Sequence, residues 1–305
     1  MAREPSALER NQEQILFTDS TAEIKRKLIN VPGLLEANIA LAAKKNLKPT
    51  LVSLEGGIAV GKSSLLSALD NLIQYILPSG HVYHEITKEW ELKKPEFNDD
   101  SVLEATYKNP KQFTYNLQST VVTSSLSRAL AIEKLFAENR NIKWAIQDRS
   151  FGGARDVFVT QNSRFLNPKL FEVLDRVTEV LKDTFESEQL KIGLVAPLEV
   201  GWNRVHQRGR LAEACMKKDY YVSNWALHQS YVWNNCHYVI NVPDIKVTPA
   251  YLACIVAILI GYYNAHKPLK LNNSDISDKF QLNLFPEWVQ RTHVPFPYEY
   301  LENLQ

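Results

Sequence analysis

The amino-acid sequence predicts an α/β protein in which a five-stranded parallel sheet carries helices on both faces. The first observation behind this prediction is that short β-rich runs alternate, from residue 49 onward, with longer segments of helical periodicity. The β-rich runs are TLVSLEG, HVYHE, KWAIQD, LKIGLVA and HYVINV. The second is that consecutive runs are separated by enough residues for a crossover helix, which parallel strands require. The third is size, since 305 residues with 45% hydrophobic content can fill a core between sheet and helices.

The chain divides into three parts. Residues 1–48 are polar, with apolar positions at helical spacing, and we expect a helical N-terminal extension. Residues 49–265 contain the five β-rich runs and are predicted to form the folded domain. Residues 266–305 contain prolines and aromatic residues without a clear period, and we interpret them as a C-terminal extension. The uncharged stretch 250–263 is shorter than the ~20 apolar residues of a membrane-spanning helix, so it predicts a buried helix.

The charge balance and the cysteine pattern argue against several classes of partner. Lys and Arg number 35 against 34 Asp and Glu, a net charge of +1 that provides no long-range attraction to nucleic acid or to an anionic membrane. The N-terminal residues lack the features of a signal or transit peptide, so we expect a cytoplasmic protein. Cys215, Cys236 and Cys254 lack the spacing of a disulfide framework or a zinc site, which favours a reducing compartment.

A glycine-rich segment follows the first predicted strand. GGIAVGKS, at residues 56–63, fits the pattern G-x-x-x-x-G-K-[ST] and lies between a strand and a helical stretch, the context that the pattern requires. In such a loop, backbone N–H groups surround phosphate oxygens, the lysine reaches the outer phosphates, and the next hydroxyl can ligate Mg²⁺. The segment therefore predicts a bound nucleoside triphosphate. Its predicted phosphate-binding residues are Gly56, Gly57, Ile58, Ala59, Val60, Gly61, Lys62, Ser63 and Ser64.

Charged residues lie at the ends of the following strands. Glu85 ends the second run, Arg149 follows the third, and the basic segment WNRVHQRGR follows the fourth. Because open α/β sheets bind ligands beside the carboxyl ends of their strands, we expect these groups to share one site with the glycine-rich loop. No NKxD motif follows a later strand, which argues against a GTPase.

These segments, taken together, resemble the deoxynucleoside kinases, a family that includes deoxycytidine, deoxyguanosine and mitochondrial thymidine kinases and the broad-specificity insect enzyme. The resemblance covers residues 51–242 and rests on the order and spacing of EGGIAVGKS, Glu85 with Trp90 five residues later, YKNPKQFTYNLQ, DRSFGGARDVF and RVHQRGRLAE. It implies a P-loop kinase fold with an arginine-bearing lid. It also implies transfer of the γ-phosphate of ATP, with Mg²⁺ as cofactor, to the 5′-hydroxyl of a deoxynucleoside.

The resemblance assigns roles to the residues of the phosphate site. Glu85 is similar to the general base that accepts the proton of the 5′-hydroxyl, and Arg149 to the group that steadies this base and the developing charge. Ser63 and Asp148 are the implied Mg²⁺ contacts. The arginines implied to close on the triphosphate are Arg204, Arg208 and Arg210, whose guanidinium groups suit phosphate oxygens.

A second set of residues is implied to bind the nucleoside. Gln118 resembles the amide that pairs with the base, Tyr107 and Glu213 resemble the groups at the sugar 3′-hydroxyl, and Trp90 and Phe158 resemble the enclosing aromatic rings.

Three further positions bear on the choice of base. Ser125 and Ala154 occupy positions where deoxycytidine and purine kinases tend to carry an Arg and an Asp, and Val121 lines the same helix face. Because that charged pair is absent, the pocket is expected to have space for the thymine 5-methyl group. Thymidine is the expected substrate, with deoxycytidine or deoxyuridine next.

The sequence also departs from the family pattern. Gly57 and Ala59 stand where the loop commonly has Asn and Gly, and Asp148 stands where a Glu is usual. After the lid, Asn224 with Trp225 replaces a usual Leu-His pair and Gln229 replaces a usual Glu, which predicts altered helix packing there.

Two alternatives to a deoxynucleoside kinase stay open at this point. A nucleoside monophosphate kinase, such as thymidylate kinase, shares the glycine-rich loop, a DR motif and an arginine lid, but it is not expected to have the E-x4-W and F-x3-Q elements. A non-catalytic accessory subunit with the same fold is the other alternative. The resemblance further implies a homodimer.

Overall fold

The computed structural model describes residues 49–85, 90–185, 189–242, 249–266 and 289–291. The predicted N-terminal extension, residues 1–48, lies outside the described residues, as does most of the C-terminal one. The strands are β1 (Thr50–Gly56), β2 (Gly80–Tyr83), β3 (Trp144–Asp148), β4 (Gln189–Val195), β5 (Tyr238–Asn241) and β6 (Val289–Arg291). The helices are α1 (Lys62–Ile76), α2 (Val102–Lys108), α3 (Pro110–Glu138), α4 (described below), α5 (Pro168–Phe185), α6 (Leu198–Arg208), α7 (Lys218–Asn235) and α8 (Pro249–His266). Short 3-10 turns cover Pro95–Phe97, Ser163–Phe165 and Leu211–Cys215.

The predicted five-stranded parallel sheet is confirmed, with one added strand. The strand order is β2-β3-β1-β4-β5-β6, and every pairing among the first five strands is parallel. β6 pairs antiparallel with β5, for example Val239 with Gln290. This strand lies in the C-terminal segment, where the sequence showed no period. It was not predicted because three residues that pair through their backbone leave no hydrophobic pattern.

Helices cover both faces of the sheet, as predicted. On β5, Tyr238 and Ile240 face a core that α1 and α8 complete, whereas Val239 faces α7. This alternation follows from the two-residue period of a strand. The predicted buried helix over residues 250–263 is confirmed, because its side chains from Leu252 to Ile260 are buried in the core, apart from the partly buried Ile258, which packs against it. In the described part of the chain, no helix has the length and apolar run needed to cross a bilayer.

Helix α4 is irregular at a position that matters for the site. It begins with the α-helical turn Phe151–Gly153, continues as the π-helical segment Ala154–Val159, and ends with Thr160–Asn162. The hydroxyl of Ser150 caps its start by accepting a hydrogen bond from the Gly153 N–H at 2.9 Å. A π-segment changes the angular spacing of side chains, and such segments are frequent at functional sites.

Candidate active site

The glycine-rich loop presents free N–H groups to the cleft. Helix α1 begins immediately after Gly61, which has a φ of 107° and gives no side-chain cap, and its first turn contains no acidic residue. The uncapped N–H groups and the positive end of the helix dipole therefore favour an anion at this position. The Lys62 ammonium donates to the carbonyl oxygens of Gly56 at 3.1 Å and Gly57 at 3.0 Å, which holds the loop around it.

The backbone of this loop accommodates the two residues, Gly57 and Ala59, that depart from the family pattern. A Cβ at Gly56 would lie 2.3 Å from the Leu194 carbonyl oxygen, and φ there is 142°, so glycine is required. Ala59 adopts the left-handed φ of 62°, at a cost of about 1 kcal/mol for a residue with a Cβ. At Gly57 a Cβ would meet Val60 at an ordinary 3.6 Å, so this position has no steric need for glycine.

Glu85 and Arg149 lie together at the carboxyl ends of β2 and β3. The Arg149 Nε is 3.9 Å from a Glu85 carboxylate oxygen, and its Nη1 donates to the Gly56 carbonyl oxygen at 2.7 Å. The guanidinium carbon lies 4.8 Å from the centre of the Phe158 ring. Arg149 also has a left-handed φ of 63°, a strained conformation of the kind that is concentrated at functional sites. The Arg149 guanidinium thus joins the glycine-rich loop to the predicted base.

The environment of the site shifts the pKa of two of its groups. Burial, followed by the like charge of Asp148, raises the pKa of Glu85, while Arg149 and Lys62 oppose this shift. A carboxylate with a raised pKa is a stronger proton acceptor, as a general base requires. Burial, followed by the Arg149 charge, lowers the pKa of Lys62 to about 8. A phosphate group bound beside Lys62 would restore its preference for the charged form.

The surroundings of Asp148 suit a divalent cation. Its side chain is 1% exposed, and one carboxylate oxygen lies 4.0 Å from the Lys62 Nζ and 3.8 Å from the Arg149 Nε. Among the described residues, neither Asp148 carboxylate oxygen accepts a hydrogen bond. A buried carboxylate with unused lone pairs is a hard oxygen donor of the type that Mg²⁺ prefers, and Ser63 is exposed at the same cleft.

The predicted phosphate-binding and catalytic groups line one open cleft of about 680 Å³. From the predicted set, the residues on its surface are Ile58, Ala59, Val60, Gly61, Lys62, Ser63, Ser64, Glu85, Trp90, Tyr107, Arg149, Phe158, Arg204, Arg208, Arg210 and Glu213. Gly56 and Gly57 belong to the same loop but do not line the cleft, and their carbonyl oxygens accept hydrogen bonds from Lys62. The loop, the predicted base and the lid therefore share a single cleft.

A smaller inner cavity opens from this cleft between α3 and α4. It shares Glu85, Trp90, Tyr107, Arg149 and Phe158 with the cleft. The remaining predicted residues line only its interior: Gln118, Val121, Ser125, Asp148 and Ala154. Ala154 and Phe158 reach it from the π-helical segment of α4.

The amide of Gln118 is suited to a base in this inner cavity. Its side chain is 2% exposed, and its Oε1 has no hydrogen-bond partner among the described residues. A base edge would satisfy this oxygen.

Comparison with known protein families identifies the family of this chain. A model of the deoxynucleoside kinase family matches residues 52–248. The chain belongs to the deoxynucleoside kinase family. Membership sets aside the nucleoside monophosphate kinase alternative and supports a nucleotide-binding transferase that acts on a deoxynucleoside.

The lid of this deoxynucleoside kinase brings arginines and a carboxylate together. Arg208 donates through two nitrogens to Glu213, with the Nε at 2.7 Å from Oε2. Arg210 lies 3.8 Å from Glu213 and 3.5 Å from Glu91. Burial, followed by Tyr220 and Glu213, keeps the Tyr107 pKa well above 10, so its phenol stays a proton donor.

Sequence reasoning missed three buried polar residues beside the site. Arg128 lines the inner cavity and adds a charged group beside the uncharged Val121, Ser125 and Ala154. His228 lies 3.2 Å from the Arg149 Nη1, and Glu55 accepts a hydrogen bond from the Ser150 N–H at 2.8 Å. Arg128 could have been found from its spacing on α3, three residues after Ser125. No sequence signal pointed to His228.

The altered segment after the lid forms hydrogen bonds to neighbouring elements. Asn224 donates to the Gln161 side chain at 2.7 Å. The Trp225 indole and the Gln229 amide donate to the Ala196 carbonyl oxygen at 2.9 and 3.4 Å. These contacts attach α7 to α4 and to the end of β4.

Proposed function

We propose that this deoxynucleoside kinase transfers the γ-phosphate of ATP to the 5′-hydroxyl of a deoxynucleoside, with thymidine the preferred substrate. The observation that supports this most directly is the position of Glu85. It lies at the junction of the phosphate cleft and the inner cavity, within 3.9 Å of Arg149. A nucleoside with its base in the inner cavity would present its 5′-hydroxyl at that junction.

The reaction then follows from the groups at the junction. Glu85 accepts the proton of the 5′-hydroxyl while the oxygen attacks the γ-phosphorus, and the bond from that phosphorus to the bridging oxygen breaks to release ADP. Lys62 and Arg149 neutralise charge on the phosphoryl oxygens. Glu213 and Tyr107 hold the sugar, which fixes the direction of attack.

Ser63 and Asp148 are the residues that would hold Mg²⁺. When bound with ATP, the ion neutralises phosphate charge and orients the phosphoryl group for in-line transfer. The buried, unsatisfied oxygens of Asp148 support this assignment.

The preference for thymidine rests on the inner cavity. Val121, Ser125 and Ala154 are small or apolar there, and burying the 5-methyl group is worth up to ~1 kcal/mol. Two aromatic side chains, Trp90 and Phe158, line the same cavity and can enclose the ring.

A radiolabelled ATP transfer assay over the four deoxynucleosides and thymidine monophosphate tests this function. We expect label on deoxynucleosides, with the highest specificity constant for thymidine, and none on the monophosphate. The matched control is K62A, which should abolish transfer because the outer phosphates lose their cation. Absence of transfer by the wild type would support the non-catalytic alternative, and a preference for deoxyadenosine or deoxyguanosine would contradict the base assignment.

We also infer that two copies associate through α5. Four of the seven exposed large hydrophobic residues in the described part of the chain lie on this helix: Leu170, Val173, Val177 and Val180. Their spacing places them along one side of the helix, and a contiguous apolar stripe favours a protein interface.

Light scattering tests this association. The wild type should have the mass of a dimer, whereas the double variant V173E/V177E should be monomeric, because it places two charges in the interface. The control L92E changes an equally exposed residue elsewhere and should stay dimeric. A dimer that persists in the double variant would contradict the role of α5.

A further inference from the structure

A buried arginine lines the inner cavity without a carboxylate in contact. The Arg128 residue is 7% exposed, and its Nε donates to the Gln147 Oε1 at 3.2 Å. No ion pair within 4.0 Å involves Arg128 among the described residues. A buried cation whose contact partner is a neutral amide keeps donor capacity for another acceptor, since a guanidinium has five N–H donors.

Helix α3 places this arginine on the wall of the inner cavity together with three predicted base-site residues. Gln118, Val121, Ser125 and Arg128 are spaced by three, four and three residues, which places them on one face of the helix. All four line the inner cavity, and none of them lines the outer cleft. Helical side chains lean toward the helix N-terminus, so the Arg128 side chain extends back toward the turn of Ser125.

The shape of a pyrimidine determines which atom meets this wall. Ring atoms N1 and C4 lie opposite each other, so a base whose sugar faces Glu85 and Tyr107 has its 4-substituent deepest in the cavity. Thymine and uracil have an oxo group there, which only accepts hydrogen bonds, whereas cytosine has an amino group, which donates them.

Gln118 by itself does not distinguish these bases. Its amide can flip, and so it can offer a donor or an acceptor at the same place. Arg128 cannot do so, because a guanidinium has no acceptor and keeps its charge. The nearby Asp148 could attract an amino group, but its charge is offset by Lys62 and Arg149 at 4.0 and 3.8 Å.

We propose that Arg128 is a specificity-determining residue that donates a hydrogen bond to the 4-oxo group of thymine or uracil and disfavours the 4-amino group of cytosine. This inference rests on the proposed function and adds a cause of base selection that is independent of space for the 5-methyl group. It predicts that the kinase distinguishes substrates by their 4-substituent even when both carry the same group at the 5-position.

Two matched substrate pairs test the proposal. Thymidine and 5-methyl-2′-deoxycytidine both have the methyl group and differ at the 4-position, whereas thymidine and deoxyuridine share the 4-oxo group and differ in the methyl group. In the wild type, the specificity constant for thymidine should exceed that for 5-methyl-2′-deoxycytidine by roughly tenfold to a hundredfold. In R128M this ratio should approach one, while the ratio of thymidine to deoxyuridine stays within about threefold of wild type.

The comparison of ratios cancels effects that are common to all substrates. Loss of the Arg128 charge also changes the electrostatic environment of Glu85, but this changes turnover equally for each member of a pair. K134M removes a positive charge from the exposed side of the same helix, outside the cavity, and it should keep the wild-type oxo-to-amino ratio. R128Q provides a second test if R128M does not fold, because its amide can accept from an amino group and should also remove the preference.

The outcomes separate this proposal from the proposed function. An active R128M or R128Q with an unchanged oxo-to-amino ratio would overturn the role of Arg128, and so would a wild type that uses both members of the first pair equally. If the wild type phosphorylates no deoxynucleoside, the proposed function fails instead. Calorimetric affinities of wild type and R128M for thymidine and 5-methyl-2′-deoxycytidine then decide whether Arg128 binds the 4-oxo group.

Discussion

The P-loop lysine makes the unliganded protein less stable, and this cost should depend on pH. The pKa of Lys62 falls from 10.5 to about 8 because the side chain is buried and lies near Arg149. The unfolded chain therefore binds this proton more tightly than the native protein. By linkage, stability must rise as the pH passes from about 8 toward 10.5, where only the unfolded form is still protonated.

The size of the effect follows from the two pKa values. The lowered pKa of Lys62 reduces the free energy of unfolding by about 3 kcal/mol at pH 7 and by about 1 kcal/mol at pH 9.5. The wild type should therefore gain about 2 kcal/mol over this interval relative to K62M, which has no charge at this position. The lost hydrogen bonds to Gly56 and Gly57 affect K62M equally at both pH values, so they cancel from the difference.

Urea unfolding at pH 7 and pH 9.5, for wild type and K62M without nucleotide, measures this difference directly. The control K134M removes an exposed lysine and should follow the wild type at both pH values. Other groups titrate over the same interval, but they are common to all three proteins. Parallel pH profiles of wild type and K62M would refute the reasoning and would mean that the native protein solvates Lys62 well.

Three further predictions concern Glu85, Asp148 and His228. E85Q keeps the shape of the side chain but removes the base, so turnover should fall by roughly 10²- to 10⁴-fold with little change in KM for the deoxynucleoside. Steady-state kinetics measure both values. Turnover near that of the wild type would exclude Glu85 as the base. D148N should raise the Mg²⁺ concentration for half-maximal activity by at least about tenfold, whereas an unchanged Mg²⁺ titration would remove Asp148 from the metal site. Burial and the Arg149 charge hold the His228 pKa well below 6.5, so the unfolded state gains a proton first on acidification. H228N should therefore lose less stability than the wild type between pH 7 and pH 5.5 in urea unfolding, and equal losses in the two proteins would contradict this.

Local pattern was sufficient to predict the elements that carry the site. The buried strands are short runs rich in apolar residues, the glycine-rich loop is a contiguous motif, and residues 250–263 are apolar all round, so each was recognisable without knowledge of the fold. Glu85 and Arg149 could be placed near the loop because the carboxyl ends of parallel strands meet at one edge of the sheet. The predicted parallel pairing of the five strands is confirmed, whereas the strand order comes from the structure.

Only the tertiary structure determined how the side chains act together. The π-helical segment of α4 directs Ala154 and Phe158 into one cavity, although nothing in their local sequence specifies a π-turn. The pairing of β6 depends on an edge strand formed far earlier in the chain. The lowered pKa of Lys62 arises from burial and charges that the fold brings together over long sequence separations. Arg128 has the spacing of a cavity residue on α3, but only packing against β3 shows that its charge is buried beside the inner cavity.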